Sequence, residues 1–205
     1  MDWNDPILLQ RIIEKRFSSS LSEEDTNNVW EKYFIPQIKG RPTKDYLVKR
    51  IIPRPRDIIF LCKNALDNAI NHQNAIIDED DILKAEASYS EMAFNSLLAE
   101  TETQFDGVED LLYEFAGGNQ IITKTDIQKM ISKINIPASK LDSAIELLIV
   151  STFLGLETDI NVFEFVYEEN RMKVIQKLAR RIAEQTGVER YKINIPFHIY
   201  LEIKI

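Results

Sequence analysis

The chain has 205 residues, of which 44% are hydrophobic and 28% charged. It carries a formal net charge of −8 and has a sequence pI near 4.9. This length suffices for one large domain or two small ones with real cores, and the acidic balance argues against a chain whose main work is gripping nucleic acid.

In chain order, Asp5-Pro6 predicts a helix start, with Asp5 as the N-cap and Pro6 at the first helical position. Ile7, Leu8, Leu9, Ile12, Ile13 and Phe17 supply its apolar face. Ser18-Ser19-Ser20 reads as a loop. Ser22 and Asp25 are expected to cap a second helix through Val29, Trp30, Tyr33 and Phe34. Gly40-Arg41-Pro42 breaks the chain, and Thr43 is expected to cap a short helix through Tyr46, Leu47 and Ile51. Pro55 suits the first turn of the helix that follows, whose stripe is Ile58, Cys62, Ala65, Leu66, Ala69 and Ile70, and Asn71 to Asn74 end it. Ala75-Ile76-Ile77 is a short extended piece. Asp78 then caps a long helix through Ile82, Ala85, Tyr89, Met92, Ala93 and Leu97, acidic at its start as a helix dipole favours.

Thr101 to Gly107 reads as a linker. Val108 to Ala116 predicts a helix stopped by Gly117-Gly118, and Ile121-Ile122 a short strand. Thr123 or Thr125 caps a helix through Ile127, Met130, Ile131 and Ile134, and Pro137 opens another through Leu141, Ile145, Leu148 and Ile149. Phe153–Leu156 and Val162–Tyr167 are strands around Glu157-Thr158-Asp159. Three helices followed by a two-stranded wing is the winged-helix order. A further helix carries Met172, Ile175, Leu178, Ala179 and Ile182, and Tyr191–Ile195 and Ile199–Ile203 read as terminal strands.

Arg54 and Arg56, flanked by Pro53 and Pro55, stand at a helix entrance. A guanidinium there offers a fixed charge and a planar fork of donors, able to report on a terminal phosphate held by a neighbouring domain. The competing reading is that Arg56 pairs with Asp57 or another carboxylate and only trims the surface.

Pro53-Arg54-Pro55-Arg56-Asp57-Ile58-Ile59-Phe60, then Ile76 and Asp80-Asp81-Ile82-Leu83-Lys84-Ala85, resembles the lid of AAA+ and STAND-type ATPases. Ala87-Ser88-Tyr89-Ser90 and Phe197–Ile203 are similar to a bacterial family of P-loop ATPases in which an Arg-Pro-Arg-Asp lid is followed by a winged helix. The resemblance covers nearly all of the chain. It implies a mainly α fold, with a helical lid at 1–105 and a winged helix at 106–205. By residue match it gives Arg56 the nucleotide-sensing role, with Arg54 second. The motif departs from the Gly-x-x-Arg form of many AAA+ lids.

No G-x-x-x-x-G-K-[ST] phosphate cradle occurs, and Asp80-Asp81 sits at a helix start rather than at the end of a hydrophobic strand. The expectation is therefore a non-catalytic chain with no cofactor of its own, ATP and Mg²⁺ belonging to an absent core. A C-terminal fragment is favoured over a degenerate stand-alone copy. Expected partners are the ATPase core or neighbouring subunits, and a protein that the winged helix contacts.

The alternative is a stand-alone winged-helix DNA-binding regulator. Its reading helix would need Arg, Lys, Asn or Gln for the major groove. Residues Pro137 to Val150 offer only Lys140, beside Asp142 and Glu146, and the wing holds Glu157, Asp159 and Glu164. DNA is a disfavoured partner. Lys39, Arg41, Lys44, Lys49, Arg50, Arg54 and Arg56, offset by Asp45, suit a surface facing phosphates or an acidic neighbour, or else a solvated helix surface. Arg171, Lys173, Lys177, Arg180 and Arg181 read as a solvated helix face.

His72 and His198 lie far apart, and the one cysteine lacks a local histidine, so no metal spacing arises. Cys62, Trp3, Trp30 and the Phe and Tyr residues are expected in the core. A single cysteine excludes an internal disulfide. Met1–Asp5 is acidic where a secretion signal is basic, and the longest aliphatic run, Leu147–Val150, is far short of the ~20 residues of a membrane span. A soluble, cytoplasmic protein with no membrane partner is expected.

Overall fold

Apolar residues spaced three and four apart build most of the chain into helices. This is seen in a computed structural model that describes residues 5–21, 29–104, 106–134, 136–167 and 169–205. Trp3 and the caps expected at Ser22 and Asp25 lie outside those residues. The described residues are mainly helical with a small antiparallel sheet. The chain divides into two units, Met1–Ser90 and Glu91–Ile205, and the division falls within one long helix.

In the first unit, α1 (Pro6–Leu21) starts as expected, the Ile7 N–H donating to Asp5 Oδ1 at 2.9 Å. Leu9 and Ile13 are buried. Trp30, on α2 (Val29–Tyr33), is only half-buried, its ring 4.9 Å from Phe34 and its Nε1 donating to Glu14 Oε1. The break at Gly40-Arg41-Pro42 is a hairpin: β1 (Gln37–Ile38) and β2 (Arg41–Pro42) pair antiparallel across Lys39 and Gly40, both at positive φ.

Thr43 does not cap α3 (Thr43–Val48); Pro42 holds the N-cap position, and the Thr43 hydroxyl donates instead to the Ile35 carbonyl. In α4 (Pro55–His72), Ile58, Leu61, Cys62, Ala65 and Ala69 are buried, whereas Ile70 lies outside the core as an exposed side chain. The helix ends at Gln73 in the left-handed conformation. Ile77 then forms a parallel bridge with Phe34.

The long helix α5 (Glu79–Thr101) opens on a reciprocal cap. Asp78 Oδ1 accepts the Asp81 N–H at 2.9 Å, and Asp81 Oδ2 accepts the Asp78 N–H at 3.2 Å, so two orphan donors of the first turn are satisfied. Ile82, Ala85 and Tyr89 form its buried stripe in the first unit.

In the second unit, α6 (Val108–Tyr113) is shorter than the expected span, and the chain turns to Gly117, at φ +67°. Then follow β3 (Ile121–Thr123), α7 (Lys124–Lys133), a 3₁₀ turn (Ala138–Lys140) and α8 (Leu141–Val150). Next come β4 (Leu154–Asp159), β5 (Val162–Glu164), α9 (Glu169–Thr186) and β6 (Arg190–Ile193). Thr123 is the N-cap of α7, in a full capping box with Asp126.

The sheet runs β3-β6-β4-β5, all antiparallel, so β6 lies between β3 and the β4–β5 hairpin. In the core, Phe153 meets Phe115 edge-on at 5.0 Å and Phe197 at a tilt at 5.1 Å between ring centres, and α9 packs Ile175 and Ile182 inward with β4 as its main neighbour. Tyr113 and Tyr167, expected in the core, are exposed, the Tyr167 hydroxyl accepting Asn194 Nδ2 at 3.2 Å.

The strand expected at Ile199–Ile203 does not form. A 3₁₀ turn (Ile195–Phe197) leads into further turns, with the Leu201 N–H donating to the Phe197 carbonyl and the Ile203 N–H to that of His198. Pro196 lacks a ladder donor and starts the turn instead.

Candidate functional site

Pro55 sits at the first position of α4, where its missing N–H is no loss. The residue before a proline is driven out of the helical region, and Arg54 accordingly holds the N-cap position at φ −130°, ψ 141°. Its carbonyl accepts the Asp57 and Ile58 N–H groups, and its own side chain does not cap the helix. Two turns of sequence logic thus place two arginines at one helix mouth.

The arginines differ in setting. Arg54 is half-buried. The Arg56 side chain keeps 59% of its accessibility, with Nε 3.7 Å from Oδ1 of the buried Asp57. That is the pairing the competing reading requires, in a loose form: Asp57 is buried, but the guanidinium is open to solvent and the separation is long for an ion pair.

Of the basic segment around them, Lys39, Arg41, Lys44 and Lys49 are exposed. Arg50 is withdrawn from that surface. Its Nε lies 3.1 Å from Glu86 Oε1 and its guanidinium carbon 4.6 Å from the Tyr46 ring centre. The Tyr46 hydroxyl donates to Glu86 Oε2 at 2.7 Å, and burial together with Glu86 pushes its pKa up to about 12. The network joins α3 to α5 over 40 residues of sequence, and no local motif signals it.

In the second unit the acidic residues of the β4–β5 hairpin are largely engaged. Glu157 is buried and accepts Arg190 Nη1 and the Asn161 N–H, both at 2.8 Å. Glu164 accepts the Thr158 hydroxyl and Arg171. Lys124 reaches Asp142 at 2.8 Å and Glu189 at 3.4 Å. Its pKa is raised, first by the Asp142 hydrogen bond. Lys124, Asp142, Glu157, Glu189 and Arg190 line a cleft of about 320 Å³ between α8 and α9.

Cys62 is buried on α4 beside an apolar hollow lined by Ile13, Phe17, Tyr33 and Leu66, and burial pushes its thiol pKa well up, away from nucleophilic use. His72 Nδ1 lies 2.6 Å from Asp81 Oδ1. Among the described residues, no group of three or more His, Cys, Asp or Glu side chains could hold a metal ion, and no helix is long and apolar enough to cross a membrane.

Residues 8–98, from α1 to near the end of α5, match a family described as the FunZ-associated C-terminal helical domain. By that description the family is a C-terminal domain of larger proteins. No curated protein matches the chain, and no solved structure does.

Proposed function

We propose that the chain supplies a P-loop ATPase with its nucleotide-sensing lid, residues 1–105, and a winged-helix interaction module, residues 106–205, and is not catalytic alone. In this reading ATP and Mg²⁺ are held by a P-loop core. Arg56 reaches the terminal phosphate from the mouth of α4, and Arg54 is the second candidate.

The observation that carries the proposal is the placement of Arg56: directly after Pro55, in the first turn of a rigid helix, with most of its side chain open to a neighbour. A guanidinium so held loses little freedom when a phosphate arrives and forms charge-assisted, forked hydrogen bonds. The exposed Lys39, Arg41, Lys44 and Lys49 add a positive field on the same unit. The match of residues 8–98 to a family described as C-terminal supports a region that works attached to other domains. The order α6, β3, α7, α8, then the β4–β5 hairpin supports a winged helix, with β6 as an added strand.

The test is ATP turnover by the chain joined to its P-loop core. Arg56→Ala is expected to lower turnover at least tenfold, by removing a group that stabilises transferring phosphoryl charge. Unchanged turnover in Arg56→Ala, Arg54→Ala and the double variant removes the sensor assignment.

A further inference from the structure

Two sets stand apart among the cations of the second unit. Lys124, Lys129, Lys133, Arg171 and Arg190 each meet a carboxylate. Lys173, Lys177, Arg180 and Arg181, all exposed on α9, make no ion pair with any described residue. At about 100° of helix rotation per residue these four fall within an arc of roughly 100°. They follow one another along about 12 Å of axis, at a rise of 1.5 Å per residue. Glu184 is the one acid on that arc. In a chain of net charge −8, where nearby cations are neutralised locally, this face is left positive.

We propose that the exposed face of α9 binds the phosphodiester backbone of duplex DNA without reading sequence. A duplex presents one charge for roughly every 1.7 Å of axis, so a 12 Å row of cations meets several phosphates at once. Reading sequence takes side chains on base edges, whereas holding the backbone takes only charge. The acidic character of α8 therefore weighs against groove reading by that helix and leaves α9 free to hold phosphate. The face carries Val174 and Leu178 and no aromatic side chain. Single-strand binders stack bases on aromatics, so the duplex backbone is the fitting form. The inference goes beyond the nucleotide-sensing reading and stands or falls without it.

The test is fluorescence anisotropy of a labelled 20-base-pair duplex of arbitrary sequence, titrated without nucleotide with the 205-residue chain. If three cations each neutralise one phosphate, affinity falls roughly 40-fold between 50 and 200 mM salt. Lys173→Gln/Lys177→Gln/Arg181→Gln is expected to lose most of the binding at 50 mM salt. Arg11→Gln/Lys15→Gln/Lys63→Gln removes equal charge from the first unit and is expected to keep it. Circular dichroism melting confirms that both variants are folded. Any of four results overturns the proposal: no binding at about 200 μM protein and 50 mM salt, equal loss in both variants, tighter binding to the single strand, or equal affinity for polyglutamate at matched charge. The last would point to an acidic protein instead.

Discussion

Asp81 and His72 form the junction between the end of α4 and the start of α5, with the carboxylate 2.6 Å from the ring nitrogen. Asp81 is fully buried and also accepts Asn74 Nδ2 at 2.9 Å and the Asp78 N–H. Burial alone would raise its pKa, but the hydrogen bonds from Asn74, His72 and the Asp78 backbone together bring it below the usual carboxylate range. A depressed carboxyl pKa contributes stability above the unfolded value of about 3.9, and that stability is lost as pH falls through the folded value. Asp81→Ala is therefore expected to cost about 2–3 kcal/mol at pH 7, a lost cap plus buried donors left unsatisfied. Urea unfolding at pH 7 and near pH 3 checks this: the gap from the parent chain should narrow at the lower pH. A gap that stays constant would contradict the charge account.

Glu86 answers both Arg50 and the Tyr46 hydroxyl. Glu86→Ala is expected to destabilise the first unit by about 2–4 kcal/mol, because the cation and the phenol lose their common acceptor. Tyr46→Phe removes one hydrogen bond without stranding a charge, and about 1 kcal/mol is expected. Equal effects in the two variants would show that the carboxylate is not the hub.

Gly155 in β4 leaves no room for a side chain: a Cβ there would stand 2.9 Å from the Phe165 ring. Gly155→Ala is expected to cost about 1–3 kcal/mol through overpacking. A double variant with Phe165→Leu, measured by thermal melting, should recover part of the loss.

Helix periodicity made most of this architecture legible in the sequence. Asp5-Pro6, Pro55, Asp78 and Thr123 each marked a helix start that the structure bears out, because capping chemistry acts within four residues. The hairpin at residues 37–42 was not legible, since strands of two residues show no alternation. The closing segment misleads for the opposite reason. Phe197, Ile199, Leu201 and Ile203 alternate like a strand, yet Ile199 is 42% exposed while Phe197 and Leu201 are buried. There a turn after Pro196 overrides the pattern. At the site, the proline-flanked arginines could be read directly, whereas the capture of Arg50 by Glu86 and of Arg190 by Glu157 depends on tertiary contact between distant segments.

Arg56→Ala separates stability from sensing. The side chain is mostly exposed, but its Nε faces the buried Asp57 carboxylate at 3.7 Å, so truncation removes part of what balances that charge. The isolated chain is therefore expected to stay folded, less stable than the parent by about 1 kcal/mol.

If Arg56 touches only the terminal phosphate, as proposed, the sharpest readout is the affinity ratio for ATP over ADP in the chain joined to a P-loop core. A charge-assisted hydrogen bond contributes about 1.5–3 kcal/mol, so Arg56→Ala should shrink that ratio by roughly 10- to 100-fold while ADP binding stays level. An unaltered ratio, with Arg54→Ala equally silent, would mean that the helix mouth never meets the nucleotide.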